Sequence, residues 1–262
     1  METLIKNQQD NNTVLSLVKT DKLEPELPDL REGEVHVWYA ALDRYASFTQ
    51  QYYRTLSADE QSRAERFRFE RDKNHFIAAR GLLREILRHY LHTTPEEISF
   101  CYNPQGKPAL QNHPDNQNLM FNVSHSHGMA LYAITQKKNI GIDVEQIRND
   151  VEADKIATRF FSEQEASILY SLPIHLKTRG FYNCWTRKEA YLKARGEGLM
   201  TPLSKFSVSL TPGKPAALIN CQWDPDETSR WTLHELNVDH RYIAALAVEG
   251  IPANITCRPW RI

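Results

Sequence analysis

The 262-residue sequence predicts an α+β protein. Two observations carry this. Segments with the period-two alternation of half-buried strands are interleaved with segments whose apolar residues recur at helical spacing. The same succession also occurs twice: a strand from Val35 or Ile140, a helix-opening Ser-x-x-Glu box at Ser57 or Ser162, then a long helix over 72–91 or 177–195. The box follows the strand's first residue by 22 positions in both stretches, the kind of recurrence that internal duplication produces. Residue identity between the stretches is poor, so the spacing alone fits chance as well as duplication. If duplicated, the chain is two small α+β halves with a ligand site at their junction. The expected organisation is a leader over 1–33, an N-terminal half over 34–138 and a C-terminal half over 139–262.

Each element has a local reason. Residues 1–33 are polar, with Pro25 and Pro28, and read as an extended or partly disordered leader. Over Val35–Leu42 alternation sets Val35, Val37 and Tyr39 on one face and His36, Trp38 and Ala40 on the other. Ser57 with Glu60 forms a capping box. Phe76, Ala79, Leu83 and Ile86 recur at helical spacing within 72–91. Ile98–Tyr102 reads as a strand, and Asn103-Pro104-Gln105-Gly106 as a turn. Leu119–Val123 and Ala130–Ile134 read as a hairpin joined through Ser124–Met129. Ile140–Glu145 is another strand, Ser162 with Glu165 a second box, and the helix over 177–195 should stop near Gly196 and Gly198. Phe206–Leu210, Trp231–Leu236 and Tyr242–Val248 complete the strands.

Composition narrows the class. Hydrophobic residues make up 41% and charged residues 25%, ordinary for a folded globular chain. Lys+Arg 32 against Asp+Glu 33 argues against a wholesale nucleic-acid or anionic-membrane binder. Cys101, Cys184, Cys221 and Cys257 are scattered without a CxxC, so neither a zinc ribbon nor a disulfide scaffold is indicated. The first residues lack a signal-peptide pattern and no apolar run reaches the ~18 residues of a membrane span. A reduced, cytoplasmic protein is expected. Walker, GxGxxG, HExxH and GxSxG motifs are absent.

Four features can carry chemistry. In Gly141-Ile142-Asp143-Val144-Glu145 alternation places both carboxylates on one face. Such a pair suits a hard cation such as Mg²⁺, and equally a solvated strand end. Glu189 and Lys193 stand four apart on the second long helix and share a face. They fit a metal or proton site with a phosphate-binding cation, or a surface ion pair. Phe121-Asn122-Val123-Ser124-His125-Ser126-His127 runs a strand into groups able to hold phosphate oxygens, or into a polar turn. Arg63, Arg66, Arg68, Arg71, Lys73, Arg80, Arg84 and Arg88 are interleaved with Glu60, Glu65, Glu70 and Glu85. They form either a solvated face or the source of a bidentate phosphate clamp, with Arg80 foremost.

The order and co-occurrence of these segments, with Arg80-Gly81-Leu82-Leu83-Arg84, Gly106-Lys107-Pro108 and Trp185-Thr186-Arg187-Lys188-Glu189-Ala190-Tyr191-Leu192-Lys193, closely resemble the 4′-phosphopantetheinyl transferases of the surfactin-synthetase-activating, single-chain type. The resemblance spans about Val35 to Val248. It implies two similar α+β halves in a pseudo-twofold arrangement, with coenzyme A in the cleft between them. The implied reaction moves 4′-phosphopantetheine from coenzyme A to a serine of an apo acyl or peptidyl carrier protein and releases adenosine 3′,5′-bisphosphate. The resemblance further implies Mg²⁺ on Asp143, Glu145 and Glu189. Glu189 is also implied as base for the carrier serine, directly or through water. It puts Lys193 at the pyrophosphate, Ser124 and His125 at phosphates, with His125 toward the 3′-phosphate, and Lys107 and Pro108 beside the adenine. Arg80 and Arg63 are implied as coenzyme A-binding arginines. Where some relatives carry a lysine pair before the first long helix, this chain has Glu60 and Arg63. A monomer without nucleic-acid or membrane partners is expected.

Overall fold

The computed structural model describes residues 29–111, 119–148, 151–198 and 201–261. Residues 1–28 of the expected leader lie outside them. In chain order the first half holds β1 (Glu34–Ala41), α1 (Thr49–Thr55), α2 (Ala58–Ala64), α3 (Glu70–Leu91), β2 (Phe100–Tyr102), β3 (Pro108–Leu110), β4 (Leu119–Ser126) and β5 (Met129–Gln136). The second holds β6 (Ile140–Gln146), α4 (Ala153–Phe160), α5 (Glu163–Ser171), α6 (Ile174–Arg195), β7 (Phe206–Val208), β8 (Leu218–Cys221), α7 (Glu227–Arg230), β9 (Trp231–Leu236), β10 (Tyr242–Glu249) and β11 (Asn254–Pro259).

The two halves repeat one plan. Each has a strand, short helices, a 22-residue helix, a small two-stranded ladder and a closing antiparallel pair. The sheet orders correspond, β1–β5–β4 in one and β6–β10–β9 in the other. The capping boxes correspond as well. Glu60 closes the box of α2 and pairs, buried, with Arg84 of α3. Glu165 closes the box of α5 and pairs, buried, with Lys188 of α6 at 2.8 Å. A carboxylate that caps one helix therefore also compensates a cation taken out of water on the next. The arginine-rich segment is thus not simply a solvated face: Arg84 is 1% exposed.

The sheets pack through a shared apolar layer. Val35, Val37, Leu131 and Ala133 of the first meet Ile140, Ile142, Val144, Leu246 and Val248 of the second. The opposite faces pack on α3 and α6 with their own cores. Gly141 sets how close α6 comes to β6. A Cβ there would lie 2.1 Å from the Ala190 carbonyl oxygen and 2.3 Å from the Ala194 nitrogen, so a glycine is needed at the crossing. Among the described residues no helix is long and apolar enough to cross a membrane.

Several boundaries move. The β4–β5 connection is the two-residue turn His127-Gly128, both at positive φ (45° and 85°), as tight hairpins require. Ser124, His125 and Ser126 therefore pair within the ladder, with Leu131, Ala130 and Met129, rather than forming a connection. The strand expected from Ile98 begins at Phe100, and that expected over Phe206–Leu210 ends at Val208. β11 is the largest addition: it leaves the second half and pairs in parallel with β1, Val35 opposite Ile255 and Val37 opposite Cys257. Trp260 then packs edge-on against Trp38 at 5.5 Å, and the Tyr45 hydroxyl donates to its carbonyl at 2.8 Å.

Candidate active site

β6 turns Gly141, Asp143 and Glu145 toward one side, and the close approach allowed by Gly141 brings α6 over that side with Glu189 and Lys193. Lys193 Nζ donates to Asp143 Oδ1 at 2.6 Å and to Ser124 Oγ at 3.0 Å. Ser124 Oγ donates to the same Oδ1 at 3.0 Å. Ser126 Oγ donates to Glu145 Oε2 at 2.7 Å.

The electrostatics are those of negative charge crowded into a dry place. Burial pushes the Asp143 carboxyl above the usual range, opposed by Lys193 and by the Ser124 hydrogen bond. Glu145 is raised by burial and, against its Ser126 bond, by the Asp143 charge. Glu189 is pushed up to about 7, first by burial and then by Asp143 and Glu145, with Lys193 opposing. A carboxyl poised near neutrality exchanges a proton readily.

These residues fit a hard divalent cation in donor chemistry. All three are oxygen ligands, and Asp143 Oδ2 is buried without a hydrogen-bond partner among the described residues, the kind of atom a cation satisfies. The cage is not closed: no group of three His, Cys, Asp or Glu side chains among the described residues is gathered as a metal cluster, and the Lys193 ammonium occupies Asp143 Oδ1.

Beside the carboxylates lies a pocket of about 210 Å³ lined by Lys107, Pro108, Val123, Lys193 and Gly196. Lys107 Nζ donates to the carbonyls of Lys193 (2.6 Å), Ile140 (3.0 Å) and Ala194 (3.3 Å). Burial pushes this lysine down to about 8; three carbonyl acceptors favour its charged form. His125 shares a face of β4 with Val123, which lines the pocket. Its side chain reaches solvent, yet it sits in a recess whose desolvation lowers its pKa, assisted by Lys193, Arg63, His75 and Arg80 in that order.

The structure thus gathers Asp143, Glu145, Glu189, Lys193 and Ser124, with Lys107 and Pro108 at the pocket. Arg63 and Arg80 act on the same place through their charge at His125. Arg80 is itself engaged, its Nε 2.8 Å from Glu60 Oε1, its guanidinium bonded to the Tyr102 hydroxyl and over the Phe100 ring. Arg63 is exposed beside the Phe76 ring. The sequence offers no signal for His75, whose Nε2 lies 2.7 Å from Asp43, and names Asn122 and Ser126 only as members of the stretch 121–127, without roles of their own. The alternation through Ser124 was the available signal for the last two.

Two family models match the chain. One, described as 4′-phosphopantetheinyl transferase, N-terminal, covers residues 43–137, and one for the 4′-phosphopantetheinyl transferase superfamily covers 139–247. The 4′-phosphopantetheinyl transferase HetI of Nostoc sp. is 40% identical over 228 residues, 86% of this chain and 93% of that protein. The 4′-phosphopantetheinyl transferase psf-1 of Bacillus pumilus is 34% identical over 164 residues, 62% and 67% of the two chains. The 4′-phosphopantetheinyl transferase Sfp of Bacillus subtilis is 31% identical over 168 residues, 64% and 69%.

Proposed function

The chain belongs to the 4′-phosphopantetheinyl transferase superfamily, and from that premise we propose that it moves 4′-phosphopantetheine from coenzyme A to a serine of an apo carrier protein, with Mg²⁺ required and adenosine 3′,5′-bisphosphate released. The observation that carries the assignment of the site is the convergence of Asp143, Glu145 and Glu189 with Lys193 beside the pocket, at the junction of the two halves.

In this reading the carrier serine oxygen attacks the phosphorus that bears the pantetheine. The bond from that phosphorus to the bridging oxygen breaks, and the electron pair leaves with adenosine 3′,5′-bisphosphate. Glu189 takes the serine proton, directly or through water. Lys193 faces the pyrophosphate and offsets charge developing on the leaving oxygen. Lys107 and Pro108 border the space for the adenine, Arg63 and Arg80 supply the positive field for the phosphates, and His125 meets them as a neutral hydrogen-bonding imidazole. Asp143, Glu145 and Glu189 would hold Mg²⁺, which when bound supplies Lewis-acid stabilisation of phosphoryl charge. Such a transfer depends on alignment and charge neutralisation more than on covalent help.

The test is intact mass spectrometry of an apo acyl carrier protein incubated with this protein, coenzyme A and Mg²⁺, with an EDTA control. A gain of one phosphopantetheine group, lost in EDTA, is the expected result. No gain on acyl or peptidyl carriers by a folded protein that binds coenzyme A would refute the reading.

A further inference from the structure

β4 and β6 belong to different sheets, yet β6 is not left with bare amides on that side. Three alternate side chains of β4 take the place of a neighbouring strand. Asn122 Oδ1 accepts from Ile142 N at 2.8 Å, Ser124 Oγ from Val144 N at 3.4 Å and Ser126 Oγ from Gln146 N at 3.4 Å. All three side chains are buried. Buried amides need partners, and here residues of one half supply them to the other.

The two serines do more. A hydroxyl has one proton and two lone pairs. Ser124 gives its proton to Asp143 Oδ1 and accepts from Val144 N and Lys193 Nζ. Ser126 gives its proton to Glu145 Oε2 and accepts from Gln146 N. Its second lone pair faces His127 Nδ1 at 3.0 Å, which places the hydrogen on that nitrogen. Each hydroxyl is saturated and so held in a single orientation. In each case the carboxylate it addresses sits one residue before the amide it accepts from.

We propose that Ser126 is a positioning residue that fixes the Glu145 carboxylate from across the junction of the two halves, as Ser124 does for Asp143; this rests on the transferase reading above. Ser126 sets one Glu145 oxygen, Oε2, at 2.7 Å. Groups that orient a ligating carboxylate in this way change affinity or turnover by about 10- to 100-fold when removed.

The test compares Ser126→Ala, Ser126→Thr and Asn122→Ala. Asn122→Ala removes a junction bond without touching a carboxylate. Mn²⁺ alone is titrated by calorimetry into EDTA-stripped protein, and kcat and KM for coenzyme A are measured with an apo carrier. Ser126→Ala should weaken Mn²⁺ binding and lower kcat by about 10- to 100-fold with KM unchanged. Ser126→Thr should recover most of both, and Asn122→Ala should bind Mn²⁺ as the wild type does. Wild-type Mn²⁺ affinity in Ser126→Ala overturns the proposal. Equal losses in Asn122→Ala, or no recovery with threonine, also overturn it, since either marks a merely structural junction. Wild-type protein that binds Mn²⁺ but transfers nothing overturns the transferase reading while the Ser126 comparison stands. Wild-type protein that binds no Mn²⁺ overturns the Ser126 proposal and leaves the transferase reading to the carrier assay.

Discussion

The ammonium of Lys107 donates to the main-chain carbonyl of Lys193 at 2.6 Å, so the two lysines are linked through backbone rather than through a shared ligand. With the bonds to Ala194 and Ile140, Lys107 ties the last turn of α6 to the start of β6. It satisfies carbonyls that a helix end leaves unpaired. Lys107→Met should therefore destabilise the fold by roughly 1–3 kcal/mol, the cost of stranding buried carbonyls. It should also speed hydrogen exchange at the Gly196 amide, which bonds to Leu192. Thermal unfolding and exchange spectra check this; an unchanged Gly196 exchange rate contradicts it.

Glu189→Gln should abolish transfer and at the same time stabilise the EDTA-stripped protein. The folded carboxyl sits at about 7 against an ordinary 4.5. Between those values the unfolded chain releases its proton while the folded one keeps it, so wild-type stability falls as pH rises through that window. Above it the ionised group is a constant cost of at most about 3 kcal/mol. The stability difference between variant and wild type should grow from pH 4.5 to 7 and stay level beyond. Denaturant titrations across that range show the outcome, and a flat difference contradicts it.

Gly141→Ala should be severely destabilising despite adding one methyl group. Its Cβ would meet main-chain atoms of Ala190 and Ala194, which cannot swing aside as a side-chain end can. Overpacking of this kind costs roughly 1–3 kcal/mol or more. Any folded fraction should transfer slowly, because α6 must move away from Asp143. A wild-type melting temperature would contradict the crossing geometry.

Lys188→Met should cost about 3–5 kcal/mol by leaving Glu165 buried without its cation. The Glu165 carboxylate accepts from Ser162 N at 2.8 Å, capping α5, and from Val208 N at 2.7 Å, bonds that a neutral amide oxygen also accepts, so the double variant Glu165→Gln, Lys188→Met should recover part of the loss. Chemical denaturation of Lys188→Met, Glu165→Gln and the double variant against wild type gives the coupling directly.

Much of the site is legible because its geometry is local. Alternation alone puts Asp143 and Glu145 on one face, and a four-residue step puts Glu189 and Lys193 together. What alternation cannot choose is the fate of that face. Solvated strand end and buried cluster have the same pattern, and only the packing of α6 through Gly141 makes the carboxylates dry. The arginine-rich segment shows the same limit: its spacing does not distinguish Arg84, buried against Glu60, from exposed Arg63.

Read alone, the chain yields the α+β class, the repeated strand, box and helix, and two separate pairs, Asp143 with Glu145 and Glu189 with Lys193. These depend on periods of two and 3.6 residues and on capping chemistry within a few positions. The tertiary structure alone decided that β11 returns to β1, that Lys107 reaches carbonyls 33 and 86 residues away, and that Asn122, Ser124 and Ser126 replace a strand for β6. Those are pairings between distant segments, and their partners are chosen by which faces the two apolar layers bury together.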